Sequence, residues 1–136
     1  MQITKSRCPE ELRLDFLPKQ FGKAFIAFEN SLYYWAEQLM DGYSGGFWEF
    51  YELSNGGCLI QLLEDEPILV RSPNGDEYEI SSEAASIVVN LFTLSNLTAV
   101  LEEGSSELEK AINAYHWLRE FSYDHPEAHQ IFALID

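Results

Sequence analysis

Three groupings of side chains are of the types that do chemistry. In Gly42-Tyr43-Ser44-Gly45-Gly46 a serine stands among glycines, the string of a hydrolase nucleophile elbow, where a strand delivers the serine and a helix leaves it with the hydroxyl exposed. Here a helical pattern precedes the serine and a strand pattern follows it, so the glycines read as a turn and Ser44 as no nucleophile. His125 and His129 stand four apart with Glu127 between them, a spacing that shares one helical face. A zinc-protease string, however, needs Glu directly after the first His. That leaves His125 as a helix cap and His129 as a surface or packing residue. His116, between Tyr115 and Trp117, has no Cys or Ser beside it to activate and reads as a hydrogen-bonded imidazole. Cys8 and Cys58 are too few and too far apart for a zinc site or a disulfide framework, and both are expected as free thiols. These residues point to no catalytic, metal or cofactor site, and away from an enzyme.

Carboxylates are the more abundant resource. They cluster at Glu49 and Glu52, at Glu64-Asp65-Glu66, and at Asp76, Glu77 and Glu79. Such groups serve acid–base catalysis when one sits in an apolar site with a raised pKa, which spacing does not reveal. An acidic face could also imitate DNA phosphates, or simply solvate the surface. With 23 Asp and Glu against 8 Lys and Arg, the net charge of −15 repels a phosphate backbone and argues against direct nucleic-acid binding. Five of the eight basic residues (Lys5, Arg7, Arg13, Lys19, Lys23) fall in residues 1–23, leaving that segment +2 and the remainder −17. The amino-terminal segment therefore has an electrostatic reason to lie on the rest of the fold, the alternative being a solvated basic arm.

The elements that must position these residues follow from periodicity. A chain of 136 residues, 46% hydrophobic and with 19 aromatic rings, supplies one packed domain, and neither repeats nor linkers divide residues 1–136. Apolar runs are interrupted well short of a membrane span, and no signal-peptide core follows the amino terminus, so the expected location is the cytoplasm, off the membrane. Pro9-Glu10-Glu11 opens a helix that Pro18 is expected to stop. Phe21, Phe25, Phe28, Leu32, Trp35 and Leu39 share one helical stripe facing a core. Residues 47–53 and 58–63 form a hairpin around Asn55-Gly56-Gly57, and 68–72 and 77–80 a second around Asn74-Gly75. For the first hairpin, a Gly56-Gly57 loop sets Leu53 opposite Ile60 and Tyr51 opposite Leu62. This is preferred on packing to an Asn55-Gly56 loop, which pairs Glu52 with Leu59. Ser82 caps a helix to about residue 101, Ser106 with Glu109 forms a capping box for the next, and His125-Pro126-Glu127 opens a last short one. The expectation is a small α+β domain with an antiparallel four-stranded meander of two hairpins, flanked by four to five helices.

The run Tyr43-Ser44-Gly45-Gly46-Phe47-Trp48-Glu49-Phe50-Tyr51-Glu52-Leu53-Ser54-Asn55-Gly56-Gly57 resembles the signature of the ArdB/KlcA antirestriction family, found on plasmids and other mobile elements in bacteria. The segments Glu11 through Pro18 with Phe21-Gly22, Ser82 through Ile87, Tyr115 through Phe121 and His125 through Ala128 agree with it. The chain departs from the family at Cys58-Leu59-Ile60-Gln61, where aromatic residues are usual. The resemblance implies relief of cleavage by type I restriction–modification enzymes, on a small α+β fold without a cofactor or catalytic residues. The partner would be that enzyme or an associated bacterial host factor, met by protein–protein contact. A DNA mimic, and behind it a small hydrolase, are the alternatives. The contact residues expected are Tyr43, Trp48, Glu49, Tyr51, Glu52 and Asn55, because 47–53 holds more aromatics than one buried face absorbs, and rings beside carboxylates compose an interface anchor.

Overall fold

A computed structural model describes residues 2–136. In chain order the elements are β1 (Lys5–Arg7), α1 (Arg13–Phe21), α2 (Phe25–Leu39), β2 (Trp48–Leu53), β3 (Cys58–Leu62), β4 (Ile68–Arg71), β5 (Glu77–Ile80), α3 (Ser82–Val100), α4 (Ser106–Ser122) and α5 (Ala128–Ile135), with 3-10 turns at Glu10–Leu12 and Gly22–Ala24. This is the α+β arrangement, with both hairpins antiparallel and five helices. The hairpins do not join, however: β1, β2 and β3 form one sheet in that order, and β4 with β5 a separate pair. The basic amino-terminal segment supplies the third strand, Arg7 opposite Tyr51 and Lys5 opposite Leu53. It lies on the fold as the charge asymmetry favours.

On its far side β3 meets a helix instead of β4. The Ile60 N–H donates to Asn90 Oδ1 at 3.1 Å, Asn90 Nδ2 donates to the Ile60 carbonyl at 2.8 Å, and the Leu62 N–H donates to Ser86 Oγ at 2.9 Å. Asn90 and Ser86 lie on α3 and are almost wholly buried, so side chains satisfy strand groups that another strand would otherwise have to pair. The second sheet is tied elsewhere, through the Asp41 N–H to the Leu69 carbonyl at 2.8 Å and a bridge between Met40 and Val70.

The first hairpin takes a register neither loop predicted. Tyr51 faces Leu59 and Glu52 faces Cys58. The turn runs over Ser54, Asn55 and Gly56, with the Gly56 N–H bonded to the Leu53 carbonyl and the Leu53 N–H to that of Gly57. Gly56 takes φ 104°, the left-handed residue closing a three-residue loop. Gly57 is needed for a different reason: a Cβ there would lie 2.7 Å from Trp117 Cβ.

Helix α3 is buried on nearly every side from Ala84 to Leu94 because it is the axle of the core. Ala84, Ile87, Val88, Leu91 and Leu94 are buried together on it. By length and composition it could cross a membrane, yet 61% of its apolar window is buried within the protein. Its N-cap is Ser81, whose Oγ accepts from the Ala84 N–H, and that of α4 is Ser105, accepting from the Leu108 N–H. Each stands one residue before the serine predicted. Pro18 sits inside α1 instead of ending it. Its missing N–H would have served the carbonyl of Leu14, a residue 92% exposed in the first turn of the helix. Of the aromatic stripe, Phe21, Phe28, Leu32 and Leu39 are buried, and Phe21 stacks on Phe28 at 4.2 Å across the α1–α2 corner. Phe25 and Trp35 are half-buried.

Candidate interaction site

The strand β2, the loop before it and the turn after it carry the six residues expected at the interface, and the structure gives them unequal roles. Trp48 is buried, its ring 6.3 Å from Tyr33 and 6.0 Å from Tyr43, and its Nε1 donates to the Tyr43 hydroxyl at 3.1 Å. Glu49 is also buried, at 6% exposure, with Oε1 facing Arg7 Nη1 at 3.4 Å and Arg13 Nη1 at 3.5 Å. Tyr51 is half-buried under Lys5, whose Nζ stands 4.2 Å from the ring centre. Asn55 clasps the hairpin to α4: Nδ2 donates to the Trp117 carbonyl at 2.9 Å and to Glu120 Oε1 at 3.1 Å, while Oδ1 accepts from the Gly57 N–H. Glu52 alone of the six is exposed. The structure thus joins Tyr43, Trp48 and Glu49 at one end of β2 and leaves Asn55 at the other.

Both faces of β2 are partly covered, because the first 23 residues fold over it. Phe50 meets Phe16 with ring centres 5.2 Å apart. Arg13 lies 4.3 Å from the Phe50 ring and 4.9 Å from that of Phe47, and its Nη2 donates to the Trp48 carbonyl at 3.0 Å. Phe47 itself is 55% exposed. Arg13, Arg7 and Phe47 therefore belong to the site although none of them was among the six contact residues expected. The signal for the arginines was the +2 segment on a −15 chain; partners 36 and 42 residues apart are not visible from spacing.

A second polar cluster locks β1 and β3 to the helices. Lys5 Nζ donates to Gln61 Oε1 and pairs with Glu83, whose other oxygen meets His125 Nε2 at 2.8 Å. His125 Nδ1 accepts from the Glu127 N–H at 2.9 Å, which fixes the tautomer with the proton on Nε2; the N-cap of α5 is Glu127 and not His125 as expected, and no side chain caps that helix. The hydrogen bond from His125, then those from Lys5 outweighing burial, holds the Glu83 carboxyl down at about 2. Burial pushes the Cys58 thiol up to about 12 and raises that of Cys8; both cysteines are free.

Ser44 lies in a cleft of about 150 Å³ lined by Met40, Asp41, Tyr43, Leu62 and Glu64 among others, with no histidine or cysteine in the lining. Among the described residues, no three His, Cys, Asp or Glu side chains gather to hold a metal ion. The runs Glu64-Asp65-Glu66 and Asp76-Glu77 are exposed, and Glu77 with Asp41 pairs with Arg71.

Comparison with known proteins agrees with the fold and the motif. Residues 41–136 match the family model described as antirestriction protein. The antirestriction protein KlcA of Escherichia coli is 39% identical over 137 residues, covering 98% of this chain and 95% of KlcA. The uncharacterized protein YafX of Escherichia coli strain K12 is 35% identical, over 99% of this chain and 89% of its own. A solved structure from work on the KlcA and ArdB proteins superimposes with a TM-score of 0.90 at 36% identity, covering 100% of this chain and 96% of the other. That work describes a novel fold and antirestriction activity against Type I DNA restriction systems in vivo but not in vitro. The chain belongs to the antirestriction protein family.

Proposed function

We propose that this chain relieves DNA cleavage by type I restriction–modification enzymes in the bacterial cytoplasm, through contact with the enzyme or with a host factor serving it. The observation that carries this reading is the full-length likeness, at 36% identity and a TM-score of 0.90, to proteins active on those systems in vivo. The site's chemistry supports contact over catalysis. The cleft around Ser44 holds no histidine, its carboxylates being Glu64 and an Asp41 paired with Arg71, and Glu49, the carboxylate nearest the aromatic cluster, is occupied by two arginines. On this reading Glu52 and the open edges of Tyr43 and Tyr51 touch the partner, while Trp48, Glu49 and Asn55 hold the strand and turn in shape. A DNA mimic would spread carboxylates along an elongated surface at phosphate-like intervals. Here the exposed acids sit on short strands and turns of a compact domain.

The test is the plating efficiency of unmodified phage on cells carrying a type I system, with and without the chain, beside cleavage by the purified enzyme. Protection in cells with no inhibition of purified enzyme supports action through a host factor, and inhibition of both supports direct contact. No protection in cells sinks the proposal. Replacing Glu64, Asp65, Glu66, Asp76, Glu77 and Glu79 with amides should leave protection intact, whereas a mimic would lose it.

A further inference from the structure

The edge of β2 that β1 leaves open is closed by a side chain. Antiparallel strands exchange hydrogen bonds at alternate residues, and here these run from the Ser54 N–H to the Thr4 carbonyl and from the Cys8 N–H to the Phe50 carbonyl at 2.7 Å. The same register, with Arg7 opposite Tyr51, would bring residue 10 to the Trp48 carbonyl. The chain does not follow it there, because from Pro9 it enters the 3-10 turn at Glu10–Leu12. Arg13 Nη2 takes that carbonyl instead, at 3.0 Å. The same guanidinium stands 4.3 Å from the Phe50 ring and 4.9 Å from the Phe47 ring, and its Nη1 faces Glu49 Oε1 at 3.5 Å. One side chain, 23% exposed, thus meets the four consecutive residues from Phe47 to Phe50.

Tyr43 hangs on that end of the strand. Between α2 and β2 the chain passes Gly42, Gly45 and Gly46, and a Cβ on Gly42 or Gly45 would meet nothing within 4 Å. Tyr43 stands among these glycines, and its hydroxyl accepts from Trp48 Nε1 at 3.1 Å. Whatever fixes Trp48 therefore fixes the tyrosine. An arginine suits the task and a lysine does not, because a planar fork donates to a carbonyl and a carboxylate at once while lying against rings, whereas an ammonium is a point charge.

We infer that Arg13 is the positioning residue of the contact site: it holds Phe47 and the first residues of β2, and through the Trp48 indole it sets Tyr43 for the partner. The fork and its plane carry this role, not the charge. Its bearing on phage protection rests on the contact reading above, whereas the positioning rests on the distances alone.

The test compares Arg13→Lys, which keeps the charge, with Arg13→Gln, which loses it, and with Arg7→Gln, which removes the other partner of Glu49. Each full chain is labelled for NMR, and its indole and amide signals are recorded below its melting midpoint. Both Arg13 variants should move the Trp48 indole and the Tyr43 amide, and Arg7→Gln should leave them in place. Wild-type signals in Arg13→Lys, equal movement in Arg7→Gln, or no movement in any variant overturns the inference. If neither Arg13 variant folds, Phe47→Leu decides: at a position 55% exposed it takes one ring from the guanidinium without opening the core, and a Trp48 indole that stays in place overturns the inference. Phage protection is then measured with the folded variants. Arg13→Lys should lose protection at least about tenfold, the loss that ~1.4 kcal/mol of binding represents. Full protection by a folded Arg13→Lys whose indole has moved overturns the role in contact while the antirestriction reading stands. A wild-type chain that gives no protection overturns that reading, and the spectra then decide the positioning by themselves.

Discussion

Asn90, on a helix, pairs with Ile60, on a strand, as a neighbouring strand residue would, its amide both donating to and accepting from the Ile60 backbone at 2.8 and 3.1 Å. Asn90 Nδ2 also reaches the Ser86 carbonyl at 2.7 Å, so the side chain is held in place by its own helix. Replacing it with leucine strands one buried N–H and one buried carbonyl. Asn90→Leu should cost about 2–5 kcal/mol, the desolvation penalty of two unpaired backbone groups. Denaturant unfolding measures it, and a midpoint unchanged from wild type would show that β3 does not depend on this contact.

Glu49 and Glu52 lie on the same strand and should respond in opposite ways. Glu49→Gln removes the buried charge between Arg7 and Arg13 and should lower stability by about 1–3 kcal/mol. Glu52→Gln, at an exposed position, should change it by less than about 0.5 kcal/mol while weakening phage protection. Equal melting of the two variants contradicts the burial of Glu49.

Glu83 sets an acid limb on stability. Its carboxyl ordinarily titrates near 4.5 and is held at about 2 in the fold, so the unfolded chain takes up a proton first as pH falls. The stabilisation is complete above about 4.5 and drains away between there and about 2. Glu83→Gln should be less stable than wild type at neutral pH, by on the order of 1–2 kcal/mol given its partial exposure to solvent, and should converge on it in strong acid. Parallel curves across the acid range would mean that Glu83 is not held by His125 and Lys5.

The two thiols should be silent in the native state. Cys58 is fully enclosed with its thiol pushed up to about 12, and Cys8 is 3% exposed. Under mildly alkaline conditions a thiol reagent should label neither cysteine within minutes, and unfolding should release two thiols per chain. Rapid labelling of Cys58 before unfolding is the contrary result.

Local chemistry was legible wherever one segment decides its own structure. The stripe from Phe25 to Leu39, both hairpins and the last three helices follow from side-chain period and turn residues, whereas Phe21, expected on the same stripe, ends α1 and is cut off from it by the turn at Gly22. Most of the failures are tertiary. Pro18 reads as a stop because the rule concerns its missing hydrogen bond, whereas in the last turn of this short helix the chain continues past it to Phe21. Ser81 and Ser105 lost to Ser82 and Ser106 because two adjacent serines are equally good caps on paper. The hairpin register was misjudged because the deciding contact, Gly57 against Trp117, comes from 60 residues away. The site suffered most. A tryptophan and a glutamate in a motif look like an exposed anchor until Tyr33, Arg7 and Arg13 are placed around them. The split into two sheets was hidden too, since nothing in β3 announces that Asn90 will take the edge that β4 was expected to fill.

That sealed edge also bears on synthesis from the amino terminus. Helix α2 presents its stripe before α3 exists, and β3 leaves the ribosome with its outer edge bare until Ser86 and Asn90 have emerged. Strand β1, made first, waits for β2. Until α3 has emerged, the outer edge of β3 therefore lacks the side chains that close it in the folded protein.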